Sequence, residues 1–303
     1  MAGLILAFMP LGVSAYSRRL LIEMLIWAVY AMSFDLMLGY GGLISFGHSA
    51  FWGTGAHVVG IFISKGVALN FWVILAACVA SSLVMAVVFG FFVMRTSDIY
   101  FTFVTLALSQ ALQVLSIKWT ALTGGIDGLS GIGRPFNLTG VGFYYFVLVF
   151  FVLSFLFMRW ICRARFGRVL IGIRENESRM RALGYNIWAF KYATYVLAGV
   201  FGAVAGFLSA YHNRFVSYED YSFVITGTAL LMVLIGGKAS QTGSLVGSVF
   251  VLLLYRLIST YTEHWLLVVG IIFVLIVLFA RQGFVGYSME LWKKLGYDGI
   301  IHR

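Results

Sequence analysis

Charged residues are scarce in this chain: 11% of its 303 residues are Asp, Glu, Lys or Arg, and 61% are hydrophobic. Soluble domains are about a quarter charged. The composition therefore excludes a soluble domain and indicates a polytopic membrane protein. Proline and cysteine occur twice each. Cys78 and Cys162 are far apart in the chain, which excludes a disulfide framework and a metal-ligand spacing, so both are predicted to be small hydrophobic residues.

Motifs for enzyme chemistry are missing as well. The sequence shows no motif for a Ser-His-Asp triad, no residues at the spacing of zinc ligands and no pair of catalytic carboxylates. Its one Gly-Lys step is Gly237-Lys238, where a P-loop would need Gly in place of Met232 and Ser or Thr in place of Ala239. We therefore predict no catalytic residues, no metal, no cofactor and no ATP site, so the chain itself is not an enzyme.

Apolar runs of about 20 residues predict the fold class: an all-α, polytopic membrane helical bundle that forms a single domain over 1–303. About ten transmembrane helices are expected, with eight or nine as alternatives because the first and eighth runs are short. The first run lacks the charged segment that precedes a signal-peptide core, which favours a membrane helix over a cleaved signal in residues 1–16. The predicted spans are 3–16, 20–38, 44–63, 71–94, 101–118, 141–161, 192–212, 223–237, 244–260 and 265–281.

The distribution of positive charge predicts the orientation. The net charge is +10, but the basic residues sit in short loops, so the positive-inside rule explains them better than a nucleic-acid partner does. With 159–191 in the cytoplasm, 14 of the 21 Lys and Arg residues fall on that side and 7 on the other. Both termini are then cytoplasmic.

Small residues recur at four-residue intervals in two of the spans. Such faces let helices approach closely in lipid, so we predict close helix packing there. The residues are Ala198, Gly202, Gly206 and Ala210 in the seventh span and Gly243 and Gly247 in the ninth.

The glycine-rich segment 39–57 leaves two interpretations open. It reads GYGGLISFGHSAFWGTGAH, with six glycines in nineteen residues. Glycine disfavours an uninterrupted helix by about 1 kcal/mol each relative to Ala. One interpretation is a broken helix beside a solute path, whose free N–H groups face an anionic group. The other is close packing by glycine, with His48 bonded to a neighbour.

Two acids lie within the second predicted span, Glu23 near one end and Asp35 near the other. A charge at the centre of a membrane helix is costly, and intramembrane acids are often functional. Asp35 is either a proton-relay group or a partnered, interfacial carboxylate.

The longest polar stretch, residues 167–186, reads GRVLIGIRENESRMRALGYN. We predict a helix over 169–183, with Glu175 four residues before Arg179, Glu177 four residues before Arg181, and Gly184 as its left-handed stop. Its apolar face is predicted to carry Ile173, Met180 and Leu183. The alternative is a solvated basic loop that only sets topology.

Two of these stretches together resemble a known family. GYGGLISFGHSAFWGTGA and IRENESRMRALGYNIWAFK are similar to segments of the inner-membrane permease subunits, of the LivM type, of ABC importers for branched-chain amino acids. The agreement continues through YFTFVTLALSQ (100–110), TGGIDGLSGI (123–132) and GTALLMVLIGGKASQTGSLVGSVF (227–250), and covers roughly 20–282. His57 stands where the family usually has Tyr, and Asp35 where Asn is common.

The resemblance implies an assembly. Its expected partners are a second homologous permease forming a heterodimer, two cytoplasmic ATP-binding subunits, a periplasmic solute-binding protein and membrane lipid, in a bacterial inner membrane. Residues 162–191 become a coupling loop that contacts the ATPase, through Arg174, Glu175, Asn176, Glu177, Arg181 and Gly184. The solute path is expected along Ser45, His48, Ser49, Phe51, Gly53 and Gly55.

Three other functions stay open at this point. The same family includes importers of urea, short amides or aromatic acids. A secondary transporter coupled to protons or ions would give Asp35 the central role. A structural membrane subunit would have no solute path.

Overall fold

The computed structural model describes residues 14–66, 70–96, 98–138 and 140–261, together with 264, 267, 268, 270, 271 and 274. Helices dominate this part of the chain, and six of them are long and apolar enough to cross a membrane. The helices are α1 (Ala15–Asp35), α2 (Ser49–Ser64), α3 (Phe71–Val93), α4 (Asp98–Lys118), α5 (Thr120–Thr123), α6 (Val141–Arg163), α7 (Arg165–Glu175), α8 (Glu177–Ala182), α9 (Ile187–Asn213), α10 (Phe223–Gly236) and α11 (Gln241–Tyr261). A π-helical turn, Leu36–Tyr40, extends α1.

The observed spans agree with six of the predicted ones. Helices α1 (with its π-turn), α3, α4, α6, α9 and α11 correspond to the second, fourth, fifth, sixth, seventh and ninth predicted spans. The first and tenth predictions, 3–16 and 265–281, lie mostly outside the described residues.

The remaining two predicted spans are shorter helices. The predicted third span, 44–63, becomes a helix only from Ser49, because residues 41–48 are irregular and Gly42 has a φ of +68°. The predicted eighth span is α10, with 14 residues. At about 1.5 Å per residue, neither helix spans the roughly 30 Å hydrocarbon core.

Helices α1 and α9 form the centre of the bundle, and α2 lies along α9. The contact depends on missing side chains: a Cβ atom on Gly55 would lie 1.9 Å from the carbonyl oxygen of Ala203, and one on Gly206 would lie 2.0 Å from that of Trp52. This confirms the close packing predicted for the small-residue face of α9. Helices α10 and α11 meet in the same way, through Gly247 and the carbonyl of Met232.

Two ends of the bundle can be defined by their connections. The ribbon end carries a two-residue antiparallel pair, β1 (Leu129–Ser130) with β2 (Phe215–Val216), and a 3-10 turn, Pro135–Asn137. The opposite end, here called the α7–α8 end, carries α7, α8 and the turn 237–240. A second 3-10 turn, Tyr218–Tyr221, joins β2 to α10 and packs against α2 and α4.

The short helices run to opposite ends. Helix α2 starts beside the middle of α9, where His48 contacts Gly202, and finishes at the ribbon end, where Gly60 contacts Leu129. Helix α10 starts beside the first turn of α2 and finishes at the turn 237–240, next to Asp35. Their N-termini therefore meet inside the bundle.

Candidate functional site

The irregular segment 41–48 is fastened to α4 by threonine side chains. Thr102 Oγ1 donates a hydrogen bond to the carbonyl of Ile44 (2.8 Å), and Thr105 Oγ1 accepts one from the amide of Phe46 (3.2 Å). The backbones come so close that a Cβ atom on Gly47 would lie 1.7 Å from the carbonyl oxygen of Thr105. Position 47 therefore requires glycine, and the peptide groups that leave the helical pattern find partners across the bundle.

The N-termini of α2 and α10 are joined through Ser49. Its amide donates to Thr226 Oγ1 (2.9 Å), and its Oγ donates to the carbonyl of Tyr221 (2.9 Å). The rings of Phe46 and Phe223 lie 5.3 Å apart beside this contact. Each helix N-terminus carries a partial positive charge, so the junction places two such charges at one point inside an apolar bundle.

Two polar side chains predicted for the solute path lie buried at the same junction. His48 Nε2 is 3.0 Å from Ser33 Oγ, and its ring stacks on Tyr30 with a centroid distance of 5.2 Å. Among the described residues, His48 Nδ1 and Ser45 Oγ have no hydrogen-bond partner. The three residues predicted to make polar contacts with the solute, Ser45, His48 and Ser49, are all buried in this conformation, and their role in a solute path stays a prediction.

The other predicted path residues pack within the protein. The ring of Phe51 lies against Gly199 and 5.3 Å from Tyr195, and Gly53 lies against the ring of Tyr221. Gly55 makes the close approach to α9 described above. These three residues contact other helices of the bundle in this conformation.

His57 stands apart from His48. Its ring nitrogens lie 2.9 Å from the carbonyl of Gly53 and 2.8 Å from Ser116 Oγ. Within the described ranges, His, Cys, Asp and Glu form no group of three that could hold a metal ion.

The polar stretch 167–186 forms two helices, and the prediction of one helix over 169–183 is wrong. The chain breaks at Asn176, which has an extended conformation and whose Oδ1 caps α8 by accepting the amide of Arg179 (2.9 Å). The break puts Glu175 and Arg179 on different helices, so they are not a same-helix pair. Glu177 forms its ion pair with Lys191 of α9 instead of Arg181.

The apolar residues of this stretch dock onto the protein's own bundle. Val169, Ile173, Met180 and Ile187 form a small buried cluster, whereas Leu183, predicted on the same face, is 66% exposed. Gly184 has the expected positive φ, +85°. The exposed side of the stretch carries Glu175, Asn176, Arg181 and Gly184.

The α7–α8 end is connected to the π-turn of α1. Arg174 donates a hydrogen bond from Nη1 to the carbonyl of Gly39. Asp35 is fully buried, and its Oδ1 accepts the amide of Ala239 (2.9 Å) in the turn between α10 and α11. One oxygen of the Asp35 carboxyl group is therefore partnered, while its Oδ2 has no hydrogen-bond partner among the described residues. Glu23 pairs with Arg256 at 2.9 Å.

Sequence reasoning missed the threonines and the carbonyl groups that hold the junction. Thr102 and Thr105 lie in the segment YFTFVTLALSQ, which drew attention only as part of the family pattern. Their partners are 58 and 59 positions earlier in the chain, so no local periodicity reports the contact.

Comparisons with known proteins identify the family of this chain. The family model for the permease component of branched-chain amino acid transport systems matches residues 17–277. The high-affinity branched-chain amino acid transport system permease protein LivM of Salmonella typhimurium is 26% identical over 90% of this chain and 71% of its own length. The probable branched-chain amino acid transport permease protein LivM of Methanocaldococcus jannaschii is 24% identical over 82% of this chain and 83% of its own.

A shorter similarity covers about half of the chain. The autoinducer 2 import system permease protein LsrD of an Enterobacter species is 32% identical over 48% of this chain and 45% of its own length. No solved structure matches the chain. Because one family model accounts for residues 17–277, the chain belongs to the family of permease components of branched-chain amino acid transport systems.

Proposed function

We propose that this protein is one of two membrane permeases of an ATP-driven importer for branched-chain, hydrophobic amino acids. A second, homologous permease completes the solute path. Two cytoplasmic ATP-binding subunits supply the energy, and a periplasmic binding protein delivers the solute across a bacterial inner membrane. Membership of the family and the similarity to the two LivM permeases support this assignment.

The junction of α2 and α10 is the observation that carries the proposal. Two short helices start inside the bundle, and their N-termini meet at Ser49. In transporters with broken helices, such N-termini face anionic groups of the solute. Ser45 Oγ and His48 Nδ1 lack partners among the described residues. When the bundle opens, the Ser45 hydroxyl can donate a hydrogen bond to a solute carboxylate. Because Ser33 Oγ donates to the carbonyl of Tyr30 and so accepts from His48 Nε2, His48 Nδ1 is an acceptor and suits the ammonium group of an amino acid.

An apolar face beside the junction suits the second permease. Ile44, Phe103, Phe223 and Val224 are between 43% and 61% exposed next to the irregular segment and the start of α10. A path between this face and its counterpart has apolar walls for a hydrophobic side chain and polar helix ends for the carboxylate.

The contacts at the α7–α8 end support a route for the energy of ATP hydrolysis. Glu175 and Arg181 are exposed and free to contact an ATPase. Arg174 bonds to the π-turn at Gly39, and that turn leads directly into segment 41–48. A movement of α7 and α8 on the ATPase then reaches the junction through one short stretch of backbone.

The test is uptake of labelled leucine by membrane vesicles that contain the whole transporter. Ile44→Cys and Phe223→Cys should react with small polar thiol reagents at rates that change with the bound nucleotide, and the reaction should block uptake. Leu156→Cys, on the exposed side of α6, is the matched control, and its rate of reaction should not change with the bound nucleotide. Uptake that follows a proton gradient and not ATP would contradict the proposal.

A further inference from the structure

A cavity of about 420 Å³ opens at the ribbon end, between the ends of α1 and α9. Four arginines line it, and none of its nine described lining residues is acidic. The guanidinium of Arg18 lies next to Gly140: a Cβ atom added to Gly140 would be 3.2 Å from Arg18 Nη1. The other arginines are Arg19, Arg134 and Arg214.

Acids near this cavity are engaged elsewhere. The adjoining cavity contains Glu23, which pairs with Arg256, and Asp220, which accepts hydrogen bonds from Trp52 Nε1 (3.2 Å) and the amide of Ser217 (3.0 Å). Among the described residues no acid pairs with Arg19, Arg134 or Arg214, so these three guanidinium groups leave an excess of positive charge in the arginine cavity.

Arg134 shows the effect of this excess most clearly. Burial lowers the pKa of its guanidinium, and the charges of Arg214 and Arg19 lower the pKa further. Its Nε has no hydrogen-bond partner among the described residues, while its guanidinium carbon lies 4.5 Å from the ring centre of Phe143. The ring fixes the cation, and a bound anion would relieve the repulsion between the like charges.

An apolar groove adjoins the arginine cavity. It has a volume of about 740 Å³, and Arg134 lines both spaces. Aromatic side chains form much of the groove: Phe71, Trp72, Phe136 and Tyr211. Trp72 and Phe136 are 64% and 63% exposed. The backbone of Phe136 has a φ of +53°.

These two neighbouring spaces restrict the chemistry of the ligand. Arginine forks match phosphate oxygens in two-point contacts, and the aromatic groove suits a hydrocarbon chain. An amino acid zwitterion fits poorly, because its ammonium group would be repelled by Arg19, Arg134 and Arg214. The site lies at the ends of membrane helices, at the level where lipid headgroups are found.

We propose that this site binds an anionic phospholipid, with its phosphate in the arginine cavity and an acyl chain in the aromatic groove. The ligand is a lipid of the surrounding membrane, because free phosphate has no hydrocarbon chain to occupy the aromatic groove.

The experiment titrates fluorescent phosphatidylglycerol against the full-length chain in a neutral detergent. The double variant Arg19→Gln, Arg134→Gln should weaken binding by about tenfold or more, because each lost guanidinium removes charge-assisted hydrogen bonds to the phosphate. The matched control Lys65→Gln, Lys118→Gln removes the same charge from exposed positions outside the cavity and should bind like the wild type.

Competitors identify the source of the phosphate. Unlabelled phosphatidylglycerol should displace the probe, whereas phosphatidylcholine and millimolar inorganic phosphate should not. Displacement by inorganic phosphate alone would overturn the lipid assignment, and equal binding by wild type and the arginine variant would overturn the site. If that variant does not fold, Phe136→Ala tests the same site, because removing an exposed ring should leave the fold intact. Severalfold weaker binding of the probe would support the proposal, and unchanged binding would reject it.

Discussion

The carboxyl group of Asp35 holds the turn between α10 and α11 in place. Its Oδ1 accepts the amide of Ala239, a residue with a φ of +57°. The side-chain oxygen of Asn can accept the same bond, so Asp35→Asn should keep most of the transport activity. Asp35→Leu should lose it, because an unsatisfied buried amide costs about 1 to 3 kcal/mol. Leucine uptake and thermal unfolding of both variants check this prediction.

The proton-relay hypothesis predicts no difference between these two variants. An Asn at position 35 cannot carry a proton, so a relay would fail in both. Loss of uptake in Asp35→Asn, together with uptake that follows an imposed pH gradient, would contradict the structural role of this carboxyl group.

Arg174 is the residue that connects the α7–α8 end to the π-turn. Arg174→Ala removes the hydrogen bond to the carbonyl of Gly39 and should abolish leucine uptake while the ATPase subunits stay bound and hydrolyse ATP. The exposed Arg179 provides a control of equal charge, since Arg179→Ala leaves that bond intact. Normal uptake by Arg174→Ala would exclude the proposed route of energy transfer.

At the scale of elements, the start of α8 depends on one cap. Asn176 Oδ1 accepts the amide of Arg179, and replacing such a cap with Ala costs about 1 kcal/mol. Asn176→Ala should therefore loosen α8 and weaken binding of the ATPase in co-purification, while Asn176→Asp, which keeps an acceptor oxygen, should not. Equal ATPase recovery with both variants would show that the break between α7 and α8 has no part in that contact.

The junction of α2 and α10 offers a nearly isosteric test. Thr226→Val removes the acceptor for the amide of Ser49 but keeps the branched shape, so the buried amide loses its partner at about 1 to 3 kcal/mol. We expect a lower thermal midpoint and much slower uptake. Thr226→Ser retains the hydroxyl and should behave nearly as the wild type. If Val and Ser variants transport equally well, the junction contributes only packing.

The sequence predicts some of these elements and not others, for physical reasons. Long apolar runs predict the six spanning helices because the thickness of the bilayer sets their length. The break at Asn176 had a usable local signal, an Asn followed by Glu in the first turn of a helix. The start of α2 at Ser49 did not, because it depends on Thr105 and Thr226, which are distant in the chain and reach the segment only after folding.

At the scale of the whole molecule, one arrangement occurs twice in opposite directions. A long helix (α1 or α9) is followed by an irregular segment, a short helix that starts inside the bundle (α2 or α10), and another long helix (α3 or α11). The two short helices leave the junction toward opposite ends. In transporters, inverted repeats of this kind place the solute site between the two halves, which supports the path proposed at Ser45, His48 and Ser49.

The orientation of the bundle in the membrane can be tested by cysteine labelling, and the chain is well suited to this experiment. Its two cysteines, Cys78 and Cys162, are buried, so an added surface cysteine can be labelled against a low background. Gly133→Cys lies at the ribbon end, with no atom within 4 Å of its new Cβ, and Arg181→Cys lies on the exposed side of α8. Ten of the seventeen described Lys and Arg residues, at position 95, in 159–191 and at position 238, lie on the α7–α8 side, so the positive-inside rule predicts that this side is cytoplasmic.

An impermeant maleimide added to intact cells should therefore label Gly133→Cys at once and Arg181→Cys only after the membrane is permeabilised. Labelling of both variants in denaturant shows that each thiol is intact. The reverse labelling pattern would invert the predicted orientation of the bundle. The exposed Glu175 and Arg181 would then face away from the ATPase, and the arginine cavity would face the cytoplasm. The contacts at the junction would survive that inversion, because they depend on the fold and not on its direction in the membrane.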